Sequence, residues 1–324
     1  MKQHITRAYN SFAINAELGT ITKTSKESRL ADELEYYKTI HSHGGNCSIF
    51  FPRLISSDTS GEIISGELEY YAYDNLGDHM VYNDYNAKLW EQVAKRIQSS
   101  LQVFSSCASD ISRQTLQAMY TEKTLHYYRD LVDNFPKFQN LSKITDIEIN
   151  GSKRLNFEVI WDQIESIISE TLLSTKKSTI IHGDFCFSNI LCGVNGKTDT
   201  ALLKFIDPRG SFGLRGIYGD PLYDAAKLLH SYESGYEYII YDQYDLKEDA
   251  VNNNYNFSFS NDNITKIGEI FEKNTSLKTQ QSKLIEGLIY IGMCSRHYDS
   301  IDRQTIMYLT GLDILNSVLE GKYL

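Results

Sequence analysis

One stretch limits the fold more than any other: IIHGDFCFSNIL, residues 180–191. Two β-branched isoleucines lead a strand into a histidine, a glycine and an aspartate, and an asparagine follows five residues after the aspartate. Aspartate and asparagine are poor strand formers, so folding propensity does not account for their position. The apolar run NILCG comes next, then the polar turn VNGKTD, then ALLKFID. This strand–turn–strand pattern puts Asn189 at the entrance of a hairpin and Asp207 at its exit. Folding the hairpin returns Asp207 to Asn189, with Asp184 close by. One carboxylate and one amide oxygen converging in this way suit Mg²⁺, a hard cation that takes oxygen ligands. Asp184 is left over from the metal and can accept or orient a hydroxyl proton. That division of labour belongs to phosphoryl transfer, where positioning and charge neutralisation do most of the work.

With 324 residues the chain exceeds the size at which a single core usually stops growing, so two lobes are expected. Its net charge of −10 and the scatter of its Lys and Arg residues disfavour nucleic acid and anionic membrane as general partners. A phosphorylated ligand would need a local positive device, a metal ion or both. Five widely spaced cysteines without a CxxC pair support neither a zinc ribbon nor a redox centre. The segment MKQHITRAYNSFAIN has no apolar signal character. LIEGLIYIGMC is too short to span a bilayer and carries Glu286. A reduced, cytoplasmic setting is the expectation, and no signal for oligomeric state is present.

The N-terminal part reads as strand, strand, helix, strand, strand. SFAINAEL and TITKT alternate with Gly19 between them, and Leu30, Leu34, Tyr37 and Ile40 recur at helical spacing. FFPRLIS and EIISGELEYYAY follow. Lys23 ends the TITKT strand and could reach phosphates if a helix carboxylate held it; Glu33 is the expected partner, with Glu35 as competitor. The strand EYYAYDN at 69–75 should end at a hinge whose backbone could read an adenine edge. The domain boundary expected is 1–74 for a nucleotide-binding lobe and 75–324 for a catalytic, substrate-binding lobe. Spaced apolar positions predict helices over 84–106, 111–134, 156–175, 278–295 and 302–320. The Tyr- and Asn-rich 231–262 reads as an irregular insertion.

HGDFCFSN resembles the HGDxxxxN loop of the aminoglycoside phosphotransferase and choline kinase superfamily, relatives of the protein kinases. IDPRG stands where that superfamily carries its metal-binding segment, and YGDPLYDAAKLLHS is similar to its GDxxyDlA stretch. The nearest likeness is to phosphotransferases of bacterial capsule and lipopolysaccharide gene clusters. The resemblance implies a two-lobed, protein-kinase-like α+β fold with a small N-terminal sheet lobe carrying one helix and a larger helical lobe. It implies ATP and Mg²⁺ as cofactors, and a hydroxyl on a small molecule (sugar, polyol or amino alcohol) as acceptor. Carried over by position, Asp184 is the catalytic base or hydroxyl-orienting group, Asn189 and Asp207 hold the metal, Lys23 binds phosphate and Glu33 pairs with it. His182 supports the loop.

Two departures stand out. NSFAINAE lacks the glycines of protein-kinase phosphate loops, which leaves that work to backbone amides around Asn10–Phe12. Arg209 replaces an acid found in many relatives, where it would contact substrate or brace the loop. Asp220, His297 and Asp299 are further candidates for the acceptor pocket. Asp224 reads as a helix cap, and Lys227 and His230 as surface or packing residues. The acidic surface points, slightly, to a neutral or cationic acceptor. A kinase acting on a polypeptide and a nucleotide-binding pseudokinase scaffold are the alternatives to a small-molecule kinase.

Overall fold

Alternating side chains make the first two strands, β1 (Asn10–Asn15) and β2 (Thr20–Ser25). They pair antiparallel from Asn10 opposite Ser25 to Asn15 opposite Thr20. Gly19 turns the chain between them at a φ of +63°, which glycine adopts without steric cost. The computed structural model describes residues 10–174, 177–195 and 200–323. The signal-free reading of 1–9 and the tip of the expected turn at 196–199 lie outside the described residues.

Helix α1 (Arg29–His43) buries Leu30, Leu34, Tyr37 and Ile40, the positions its spacing predicts. Strands β3 (Leu54–Asp58) and β4 (Ile64–Glu69) complete a sheet of order β1-β2-β4-β3. The helix packs so tightly on this sheet that a Cβ at Gly66 would stand 2.1 Å from Leu34 Cδ2. The expected strand over 69–75 is split. β4 ends at Glu69, and Asp74–Asn75 pair instead with Cys192 and Leu191 of the central hairpin. The chain therefore leaves one sheet and joins the other within the four residues 70–73.

The rest is mainly helical. Helices Ala87–Ser105, Lys123–Asn134, Phe157–Ile167, Gln280–Met293 and Ile301–Leu319 fall within or beside the predicted segments. The last two pack against each other at the centre of one apolar cluster. The 231–262 segment is not irregular. After helix Tyr236–Ile240 it forms an antiparallel hairpin, Tyr244–Asp249 with Asn254–Phe259, that joins a four-stranded sheet. Tyr255 buries in the helical core, while Leu246, Phe257 and Phe259 pack against it. Asn253 takes the left-handed backbone at the turn, which asparagine tolerates better than most residues.

A second apolar cluster runs through both lobes. Tyr36, Tyr37 and Ile40 of α1 meet Phe51, Phe104, Phe185 and Phe205 from the remainder of the chain. The architecture is the α+β one read from the sequence: a small sheet with one helix, then a larger helical part, joined through a shared core.

Candidate active site

The burial pattern of β2 turns Thr20, Lys23 and Ser25 inward. The Lys23 ammonium lies 2.7 Å from Glu33 Oε2 on α1 and 3.0 Å from Asp207 Oδ1. Glu33 shares the sheet-facing side of α1 with Leu30, Leu34 and Tyr37. Glu35, the competing partner, is exposed and nearest Lys38, at 3.9 Å. Burial disfavours the Lys23 charge, but Asp207 and Glu33 outweigh it and hold the ammonium above its ordinary range. Asp207 adopts a left-handed φ of +56°, which is costly for a residue with a Cβ. Its amide donates to Tyr37 Oη at 3.1 Å, so α1 pins both its backbone and, through Lys23, its side chain. Three residues on, Gly210 has a φ of +69° and packs so near Asp32 that a Cβ would approach the Asp32 carbonyl oxygen to 2.2 Å. No other residue fits there.

The loop of residues 182–189 is held from beneath. His182 is fully buried between Phe51 and Phe185, with ring centroids 6.1 and 5.3 Å away. Its Nε2 faces the Ile206 carbonyl at 2.9 Å, and its Nδ1 accepts from the Asp184 amide at 3.2 Å. A carbonyl only accepts, so the proton sits on Nε2. Burial pulls this imidazole down to about 4, which keeps it neutral and structural. The amides of His182 and Gly183 donate to the two oxygens of Asp224 at 2.7 and 2.8 Å. Burial pushes the Asp224 carboxyl up to about 7 even with those amides opposing it.

Helix Pro221–Tyr232 thus reads differently from its sequence. Its cap is Asp220, which accepts from Leu222 N at 3.0 Å and from Tyr120 Oη at 2.7 Å. Asp220, expected near the acceptor pocket, is fully buried with both carboxylate oxygens engaged in these bonds. Asp224, read as the cap, instead holds the 182–183 backbone. Lys227, read as a surface or packing residue, is buried with its ammonium 2.9 Å from Asp184 Oδ1. Burial alone would raise the Asp184 carboxyl; Lys227, with Arg209 adding, holds it well below the usual range.

Asn189 joins the pieces. Its Nδ2 donates to the Asp184 carbonyl at 2.8 Å and to Asp184 Oδ2 at 3.2 Å, which leaves Oδ1 as an acceptor. The Ile206 amide donates to the Asn189 carbonyl at 2.9 Å, and that bond closes the base of the hairpin and sets Asp207 beside Asn189. Both oxygen donors are thus at hand, and the Asp207 side chain is 44% exposed. Among the described residues no group of three or more His, Cys, Asp or Glu side chains could hold a metal ion unaided. One carboxylate and one amide suit a cation that keeps waters and takes phosphate oxygens for the rest of its shell, as Mg²⁺ does.

Of the remaining candidates, Arg209 belongs to this cluster. Its amide donates to the His182 carbonyl at 2.9 Å, and its side chain lies over Gly183. His297 stands edge-on to the Tyr236 ring at 6.3 Å, and Lys227 lies 5.2 Å from that same ring. Asp299 binds Arg303 at 2.9 Å on the surface and takes no part in the Asp184 cluster. The glycine-free segment at Asn10–Phe12 lies in β1, not in a turn, and the Phe12 ring centroid is 5.8 Å from Lys23 Nζ.

Three solved structures share this arrangement of elements. A thermostable mutant of aminoglycoside phosphotransferase APH(4)-Ia, in ternary complex with AMP-PNP and hygromycin B, matches 98% of this chain and 93% of its own at a TM-score of 0.55 and 11% identity. The GDP complex of a mutant aminoglycoside 2′-phosphotransferase-IIIa matches 98% and 90% at 0.54 and 13% identity. An apo form of a thermostable APH(4)-Ia mutant matches 92% and 87% at 0.51 and 11% identity. The fold is therefore the kinase-like α+β fold of the aminoglycoside phosphotransferases. No protein-family model matches the sequence, and no curated protein matches it.

Proposed function

We propose that the chain is an ATP- and Mg²⁺-dependent phosphotransferase that moves the γ-phosphoryl group to a hydroxyl of a small molecule. The observation that carries this reading is the Lys23 ammonium shared between Glu33 of α1 and Asp207 at the hairpin exit. It ties a sheet lysine to a cleft carboxylate, the arrangement phosphoryl transfer needs. Lys23 binds the nucleotide phosphates and Glu33 holds it in place. Asn189 and Asp207 hold Mg²⁺, which when bound neutralises charge on the phosphates. The domain division at 74/75 assigns these roles to a nucleotide-binding lobe and a catalytic lobe.

Asp184 hydrogen-bonds the acceptor hydroxyl. A carboxylate held this far below its usual range is a weak proton acceptor, so orientation is its main task. In a loose transition state the bond from phosphorus to the leaving ADP is largely broken before the hydroxyl loses its proton. The new phosphorus–oxygen bond forms to the acceptor, and the proton leaves late through Asp184. The acceptor class is a sugar, polyol or amino alcohol of the kind built into surface polysaccharide, and the setting is cytoplasmic.

The test is ADP release from Mg·ATP across a panel of sugars, polyols and amino alcohols, with a cell lysate as protein acceptor in parallel. Acceptor-dependent release that Asp184→Asn lowers by ~10²–10⁴-fold is expected. Label appearing in protein alone, or slow turnover unchanged in Asp184→Asn, would contradict the reading.

A further inference from the structure

Cations gather around Tyr223, one turn before the Lys227 that meets Asp184, in a chain whose net charge is −10. Lys227 is neutralised by Asp184. Two others are not neutralised. Arg209 Nη1 and Lys123 Nζ each lie 3.3 Å from Tyr223 Oη, and Lys123 is 5.4 Å from the centroid of that ring. Among the described residues neither cation has a carboxylate within ion-pairing distance. Both are partly exposed to solvent. One turn further along the Lys123 helix, Tyr127 Oη accepts from Arg296 at 3.1 Å.

Two cations donating to one neutral phenol are an incomplete arrangement, because the phenol offers lone pairs but no charge. The surroundings register the surplus. Tyr223 is pulled below its ordinary range by Lys123, Arg209 and Lys227, although burial would raise it. Burial lowers the Lys123 ammonium to about 8, with Tyr223 opposing and Arg209 and Lys227 reinforcing. An anion set against Tyr223 Oη would relieve both.

The surplus lies on the acceptor side. Lys23 and Asp207 belong to the position proposed for the nucleotide, whereas the Arg209 side chain packs over Gly183, the residue before Asp184. Tyr223 sits four residues before Lys227 on one helix, a separation of about 5–6 Å between Cβ atoms. A molecule with its hydroxyl at Asp184 would reach these cations through a few bonds.

We propose that the acceptor is an anionic hydroxyl compound whose carboxylate or phosphate binds Arg209 and Lys123 across Tyr223 while its hydroxyl meets Asp184. This rests on the phosphotransferase reading and narrows its acceptor to sugar acids and phosphorylated sugars or polyols, against amino alcohols. Planar guanidinium and ammonium together suit either oxyanion.

The experiment uses the full chain with Mg·ATP and matched probes: glycerol 3-phosphate against glycerol, gluconate against glucose, and ethanolamine as the cationic arm. ADP release gives turnover, and saturation-transfer NMR gives binding independently of it. The anionic member of at least one pair should exceed its uncharged partner by about tenfold or more in kcat/KM, and which pair responds distinguishes phosphate from carboxylate. Arg209→Gln and Lys123→Gln should raise KM for that probe about tenfold and leave AMP-PNP affinity unchanged, while Lys123→Arg restores it. Preference for uncharged or cationic probes would overturn the proposal and leave phosphoryl transfer standing. Weakened AMP-PNP binding in the variants would move the cations to the nucleotide and overturn it too. If nothing turns over, absence of NMR binding by both anionic probes is equally decisive against it.

Discussion

The two flanks of Asp184 carry opposite balances of charge. On the side proposed for the nucleotide one ammonium, Lys23, is held by two carboxylates, Glu33 and Asp207. On the side proposed for the acceptor one carboxylate, Asp184, is matched by Lys227, and among the described residues Arg209 and Lys123 have no acid within ion-pairing distance. A surplus of carboxylate suits a position where a divalent cation arrives with its phosphates. A surplus of cation suits a ligand that arrives negative. The net charge of the chain averages over both flanks, so it says little about either one. Charge has to be read within a few ångströms of the chemistry to predict a ligand.

The largest effect is expected on the carboxylate-rich side. Asp207→Asn should lower turnover on the order of 10²–10³-fold and abolish the Mg²⁺ dependence of AMP-PNP binding, measured by calorimetry with and without chelator. Equal Mg²⁺ dependence in the variant would remove Asp207 from the metal. Lys227→Met acts at the boundary between the flanks. Asp184 then loses the counter-ion that keeps its carboxyl low. Its carboxyl rises, the ionised form is lost at higher pH as pH falls, and the acid limb of kcat/KM moves up. An unmoved limb would deny the coupling.

The cation-rich side makes a milder prediction with the opposite sign. Lys123 is charged below about 8 and neutral above it, so KM for an anionic acceptor should climb as pH rises through that value. Tyr223, Arg209 and Lys227 surround it, and ionisation of Tyr223, which these cations favour, adds negative charge in the same direction. Lys123→Arg should shift the climb to higher pH. The smallest effect concerns the contact that pins the Asp207 backbone. Tyr37→Phe removes the oxygen that accepts from the Asp207 amide and should cost about 1 kcal/mol, read from the urea midpoint.

Legibility followed range along the chain. Asp184, Asn189 and Asp207 were readable because two strands and a turn fix their relation through local pattern. Lys23 and Glu33 followed from periods of 2 and 3.6 in neighbouring elements. The Lys227 pairing was half-visible, since 220, 224 and 227 share one helix face, yet nothing local said that this face lies under the 182–184 loop. That docking also gave Asp224 the 182–183 backbone to hold and left the cap to Asp220. Lys123 lies 100 residues from Tyr223 in a helix without a motif, so only tertiary packing reveals it. The 231–262 hairpin was hidden by its asparagines and tyrosines, whose turn and packing uses look alike in a sequence.

Phosphorus NMR of a Mg·ATP reaction with the best acceptor follows the transferred atom itself. The wild-type chain should give a phosphomonoester resonance that grows in step with ADP, and Asp184→Asn should give almost none. Inorganic phosphate as the sole product, formed equally fast by that variant, would contradict the account.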